Sequence, residues 1–178
     1  MERKEFLQKG CCALAFLGAL PASTAAAEVQ PCDQNLQFTQ YFLSDLMVSI
    51  DSQVDEPTKI KLLGECGRAC FNRFQFKKDI AAKGKGSVEK LIEALHSSFE
   101  AWREGDTVHV RYGAVNTNGC YCPAARYRPG KPHDIHCYCT RATHQAIWET
   151  ALGRPVKVEI LQTVRRGDPT CHFLVQLA

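Results

Sequence analysis

The apolar run from Cys11 to Leu20 falls short of the roughly 20 residues that cross a bilayer, so no membrane span is expected. Charge of one sign is also lacking. Lys and Arg number 22 against 19 Asp and Glu, a net charge of +3. That excludes a strongly basic nucleic-acid binder and an acidic tail protein, and no nucleic-acid partner is expected. There is no Cys-x-x-Cys-His, which excludes covalently attached c-type haem, and the tight ferredoxin run of cysteines is absent. No internal repeat occurs. An apolar fraction of 45% excludes a disordered chain. What the chain has is cysteine, 10 in 178 residues. A domain of this length buries a core without staples, so the cysteines point to chemistry before they point to stability.

Residues 1–27 read as an export leader. Glu2, Arg3, Lys4, Glu5 and Lys9 give a charged start, the Cys11–Leu20 run follows, and Ala25-Ala26-Ala27 gives a small-residue end. Residues 28–35 read as a linker and 36–178 as one cysteine-rich domain, exported to the periplasm or another extracytoplasmic space. The start resembles a twin-arginine signal at Arg3, Phe6 and Leu7, with Lys4 in place of the second arginine. That resemblance implies folding, and cofactor uptake, before export. The thiols would then meet metal in a reducing compartment.

Beyond the leader the period is helical first. Leu36, Leu43, Met47 and Ile50 recur at helical spacing. Asp55-Glu56-Pro57 marks a helix start, and that helix is expected over about 58–82, with a break near Gly64 and Gly67. Ser87 caps a third helix reaching Phe99, with Trp102 at its end in the core. Thr107–Tyr112 alternates as a strand. Gly113–Cys139 is long and irregular, and segments of that kind in a compact domain are usually functional. A helix from Thr140 to Gly153 follows, carrying Trp148. Two strands around Arg166-Gly167-Asp168-Pro169 then form a hairpin. The expectation is an α+β fold: N-terminal helices, then an antiparallel sheet with a C-terminal β-hairpin and one inserted helix.

The cysteines past the leader are Cys32, Cys66, Cys70, Cys120, Cys122, Cys137, Cys139 and Cys171. Cys66 and Cys70 stand four apart, on one face of a helix. Cys120-Tyr121-Cys122 and Cys137-Tyr138-Cys139 are near-identical units. In an extended chain, residues two apart point the same way, so each unit aims two sulfurs at one place. Two units supply the four thiolates that tetrahedral zinc takes, with sulfur at about 2.3 Å. An iron–sulfur cluster is the alternative occupant. Disulfides and redox-active thiols are the other readings of the same residues. His136, beside Cys137, is the histidine best placed to join a metal. Arg126, Arg128 and Lys131 form a basic loop able to clamp a carboxylate or phosphate. The irregular segment is expected to act as a lid ordered by the metal, with this basic loop at its tip.

Leu152-Gly153, the strand Val156–Glu159 and Gly167-Asp168-Pro169-Thr170-Cys171-His172-Phe173 resemble the end of the 4-vinyl reductase type of domain. Such domains are α+β small-molecule binders, found in tetrapyrrole-related proteins and in the aromatic-sensing part of bacterial regulators. Several hold zinc through cysteines and one glutamate. The resemblance implies a small-molecule ligand, and it implies Cys171 as the last metal ligand, Cys139 as an earlier one and Glu159 near the glutamate position. Thr163 stands where another cysteine belongs, so Cys137, Cys122 or Cys120 would substitute. A fainter likeness in the same hairpin, to aminothiazoline carboxylate hydrolase-like proteins, implies a hydrolase using a cysteine nucleophile or metal-activated water. His136 or His172 would be the base beside such a cysteine. A disulfide-stapled interaction module is the third class.

Overall fold

The computed structural model describes residues 34–112, 120, 122–125 and 127–177. The elements run α1 (Gln34–Gln53), α2 (Glu56–Arg73), α3 (Gln75–Lys83), α4 (Val88–Leu95), β1 (Glu100–Glu104), β2 (Thr107–Arg111), α5 (Cys137–Leu152), β3 (Lys157–Gln162) and β4 (His172–Gln176). The strands form one antiparallel sheet in the order β1-β2-β4-β3. The fold is α+β, as expected. The export leader and most of the linker lie outside the described residues; Gln34 and Asn35 already belong to α1. No helix among the described residues is long and apolar enough to cross a membrane.

Local chemistry explains most boundaries. Asp55 is extended and accepts a hydrogen bond from the Thr58 N–H at 3.0 Å, with Pro57 in the first turn of α2. That cap satisfies one of the orphan donors of a helix start. Ser87 caps α4 through the Lys90 N–H. Gly153 ends α5 at φ 68°, a left-handed conformation that favours glycine.

Two expectations need correction. The helix over 58–82 is broken at Phe74 (φ −99°, ψ 114°) rather than at the glycines, which lie inside α2. The α4 helix stops at Leu95, and residues 100–104 form β1 instead. Trp102 therefore leaves the core. It lies opposite His109 in the register and stacks on it at 4.9 Å.

The sheet alternates as strand geometry requires. Val108, Val110, Val158, Phe173 and Val175 face the helices, where they bury Leu91, Leu95 and a fully enclosed Trp148. Each such side chain contributes about 1.5–3 kcal/mol over exposure. A smaller cluster of Met47, Leu63 and Ile135 joins α1, α2 and the segment before α5.

Candidate functional site

The site begins where α5 begins. Cys137-Tyr138-Cys139 is helical rather than extended. Residues two apart on a helix point about 200° away from each other, so this unit cannot aim both sulfurs at one place. Each sulfur instead joins a different group of thiols.

Cys139 belongs with the helix pair. Burial pushes its thiol up to about 12, and the charges of Cys122, Cys70 and Cys66 act in the same direction. Cys122 is raised by burial too, against a hydrogen bond from Ala124, with Cys120 and Cys70 adding to the rise. Cys66, Cys70, Cys122 and Cys139 are thus one electrostatic neighbourhood built from α2, α5 and the irregular segment. Lys77 Nζ lies 2.9 Å from Cys70 Sγ at its edge.

Cys137 faces the hairpin. Burial pushes it up to about 11, offset in part by the nearby Thr163 hydroxyl; Asp134, Arg166 and Cys171 are its charged neighbours. Cys171 is raised by burial and by Cys120, against a hydrogen bond from Val164. Cys120 is near both Cys122 and Cys171, so it stands between the two groups. All seven described cysteines are free thiols; Cys32 lies outside the described residues.

Close helix packing sets the first group. A Cβ on Gly67 would lie deep inside contact distance of the Cys139 carbonyl and 2.8 Å from the Ala142 Cβ. Only glycine lets the α2 backbone come this near α5. The Thr143 hydroxyl donates to the Gly67 and Cys139 carbonyls, each at 3.1 Å. Next to Gly67, Arg68 pairs with Glu149 further along α5 at 2.7 Å. Gly67 stands between Cys66 and Cys70, so the contact that joins the helices also delivers the thiol pair.

Other expected site residues are elsewhere. Glu159 pairs with Lys157 at 2.7 Å and accepts from Gln176 at 2.9 Å, so it is not gathered with the cysteines. Arg128 is buried and donates to Asp134 at 2.7 Å, and Lys131 pairs with Asp51. Neither is free to clamp a ligand, because each already faces a carboxylate. Arg126 lies outside the described residues. The described part of the irregular segment is tied down by an ion cluster that sequence reasoning missed. Asp134, fully buried, accepts from Arg128, from Arg165 at 2.8 and 3.0 Å, and from the His136 N–H at 2.9 Å. Arg165 also donates to the carbonyls of Ala125, Arg128 and Pro129. Burial raises the Asp134 carboxyl, but these donors outweigh it and hold it below the ordinary range.

His136 is buried and its Nε2 has no hydrogen-bond partner. Burial, with Arg165 and Arg128 nearby, lowers it to about 4, so it is neutral at pH 7. His144 accepts or donates at Tyr112 Oη, 2.8 Å away, and burial lowers it to about 3. His172 meets His109 at 2.9 Å on the outer sheet face. No hydrogen bond joins a cysteine to a histidine among the described residues, and no group of three or more His, Cys, Asp or Glu side chains there is arranged to hold a metal ion.

The buried histidines predict acid lability. A group whose folded pKa is depressed binds its proton in the unfolded chain first. Stability is therefore complete above about 6.5 and falls as pH drops toward the folded values near 3 and 4. The slope is about 1.4 kcal/mol per pH unit for each histidine in that window. Urea unfolding at pH 7, 5.5 and 4 measures it. Glutamine at position 144 reaches Tyr112 without titrating, and the H144Q variant should show a visibly shallower loss. An unchanged slope would remove His144 from this account.

No family model matches the sequence, and no match to it was found among curated proteins. Among solved structures the chain is similar to the crystal structure of the phenol-responsive sensory domain of the transcription activator PoxR with phenol. The two are 12% identical with a TM-score of 0.48, over 78% of this chain and 73% of that one. At that distance the likeness assigns this chain neither a fold family nor a ligand.

Proposed function

We propose that this is an exported, cysteine-rich α+β domain that binds a small molecule and holds a thiophilic metal ion, zinc first. In this reading it is of the 4-vinyl reductase type that its C-terminal hairpin resembles. The observation that carries the metal reading is the neighbourhood of Cys66, Cys70, Cys122 and Cys139, brought together by the contact of Gly67 with α5. Four cysteine sulfurs match the donor set that zinc takes in structural sites. The sulfurs do not stand in a coordination shell as described, so binding would draw them inward. The set carried over from the family resemblance has less support. Glu159 is engaged with Lys157, and Cys171 lies with Cys137 and Cys120.

Because Cys139 is held protonated to about 12, metal uptake must release protons, and affinity should rise steeply with pH. Cobalt(II) titration of reduced protein tests the assignment. Sulfur-to-metal charge-transfer bands, displaced by zinc, should saturate at one metal per chain. C70S and C139S should each lose at least tenfold in affinity, as losing a ligand requires, while C171S should retain binding. Saturation unchanged in both C70S and C139S would overturn the assignment. An iron–sulfur cluster, the alternative, would instead colour protein purified without oxygen.

A further inference from the structure

A groove of about 530 Å³ runs between α5 and strand β3, within the usual size of small-molecule sites. β3 is an edge of the sheet. Val156, Val158 and Ile160 line it beside the Lys157–Glu159 ion pair, Arg141 and Arg166, with Val156 and Val158 already buried in the core. Both guanidinium groups lie over the ring of Tyr138, at 4.9 and 5.4 Å from its centre. Arg166 donates to the Asp134 backbone carbonyl, at 3.3 Å, and also acts on the Tyr138 hydroxyl. Arg141 makes no ion pair among the described residues. Its charge is opposed by burial and by Arg166, and the one group that favours it is Tyr138. The nearby carboxylates are engaged: Glu159 with Lys157 and Gln176, Glu56 with the Tyr138 hydroxyl. Two guanidinium groups with no ion-pair partner among the described residues thus share the groove with one carboxylate, Glu159, that Lys157 already neutralises.

We propose that this groove binds a small organic carboxylate, whose charge is taken by Arg141 and Arg166 and whose hydrocarbon part lies against the partly exposed Ile160. Planar guanidinium groups suit a carboxylate, because their paired N–H donors match its two oxygens. Inorganic phosphate would satisfy the charge and leave Ile160 wet. The inference rests on the small-molecule half of the proposed function and is independent of the metal half. It also replaces Arg128 and Lys131 as the anion site, since both already face carboxylates.

The test is a calorimetric titration of the full chain with hexanoate, hexan-1-ol and inorganic phosphate, on metal-free and zinc-loaded protein. Hexanoate should bind at least tenfold more tightly than the alcohol or phosphate. R141Q should weaken hexanoate at least tenfold while circular dichroism stays unchanged, R141K should recover part of the loss, and K131Q should have no effect. No hexanoate binding up to about 20 mM, a concentration that detects even weak affinities, would overturn the inference. Hexanoate binding that survives R141Q would overturn this groove while leaving a small-molecule site elsewhere.

Discussion

Asp134→Ala should remove about 3–5 kcal/mol of stability, the cost expected when one partner of a buried ion cluster is deleted. The side chains of Asp134, Arg128 and Arg165 are 0%, 4% and 5% exposed. Deleting the carboxylate leaves two guanidinium groups in the interior without a counter-charge. It also removes the acceptor of the His136 N–H, just before α5. A domain of this size has only about 5–15 kcal/mol in total, so the variant should be marginal. Urea midpoints of wild type and D134A measure the effect. R165M should cost a similar amount, and D134A combined with R165M should cost less than the two separate losses together, because the double change removes one of the two guanidinium groups that loss of the carboxylate orphans. A loss below about 1 kcal/mol in D134A, the size of a surface pair, would mean the cluster does not hold the segment.

This cluster was not legible in the sequence. Asp134 sits in Lys131-Pro132-His133-Asp134-Ile135-His136, where nothing marks one acidic residue as buried, and Arg165 lies 31 residues away on the hairpin turn. Sequence periodicity reports which face of an element is apolar. It is silent on a charge pair between two irregular segments. The basic loop shows the same limit from the other side: Arg128 and Lys131 have the right chemistry for an anion clamp, and only the fold shows that Asp134 and Asp51 already occupy them.

Where chemistry is local, the reading held. The Asp55 and Ser87 caps, the Gly153 stop and the C-terminal hairpin stand where their residues put them. Trp148 is in the core because its whole helix stripe faces the sheet. β1 was missed because Trp102 and Ala101 fit a continuing helix as well as a short strand; pairing with β2 decides between them. The Cys137-Tyr138-Cys139 unit departs from its expected extended form for a related reason. Cys-Tyr-Cys is extended or helical depending on where the helix starts, and helix boundaries are the least legible feature of a sequence. Starting α5 three residues earlier than Thr140 sends Cys137 and Cys139 to different groups.

The two glycines of α2 should respond in opposite directions to the same substitution. Gly64 has open space where a Cβ would go. Gly64→Ala therefore gains helix propensity without a clash, about 0.5–1 kcal/mol in favour of folding. Gly67 gains the same propensity but drives its new Cβ into the Cys139 carbonyl, a backbone atom of α5 that cannot rotate away. Overpacking of this kind costs about 1–3 kcal/mol or more, which outweighs the gain. The relief open to the protein is to move α2 off α5, which also breaks the Thr143 hydrogen bond to the Gly67 carbonyl. Cys66 and Cys70 then withdraw from Cys139 and Cys122. Gly67→Ala should accordingly lower the urea midpoint and weaken cobalt binding together, although no thiol has been changed, while Gly64→Ala raises the midpoint and leaves cobalt binding intact. If Gly67→Ala lost stability but bound cobalt as tightly as wild type, the helix contact would not be what assembles the thiols, and the metal would belong to the hairpin group around Cys137 and Cys171.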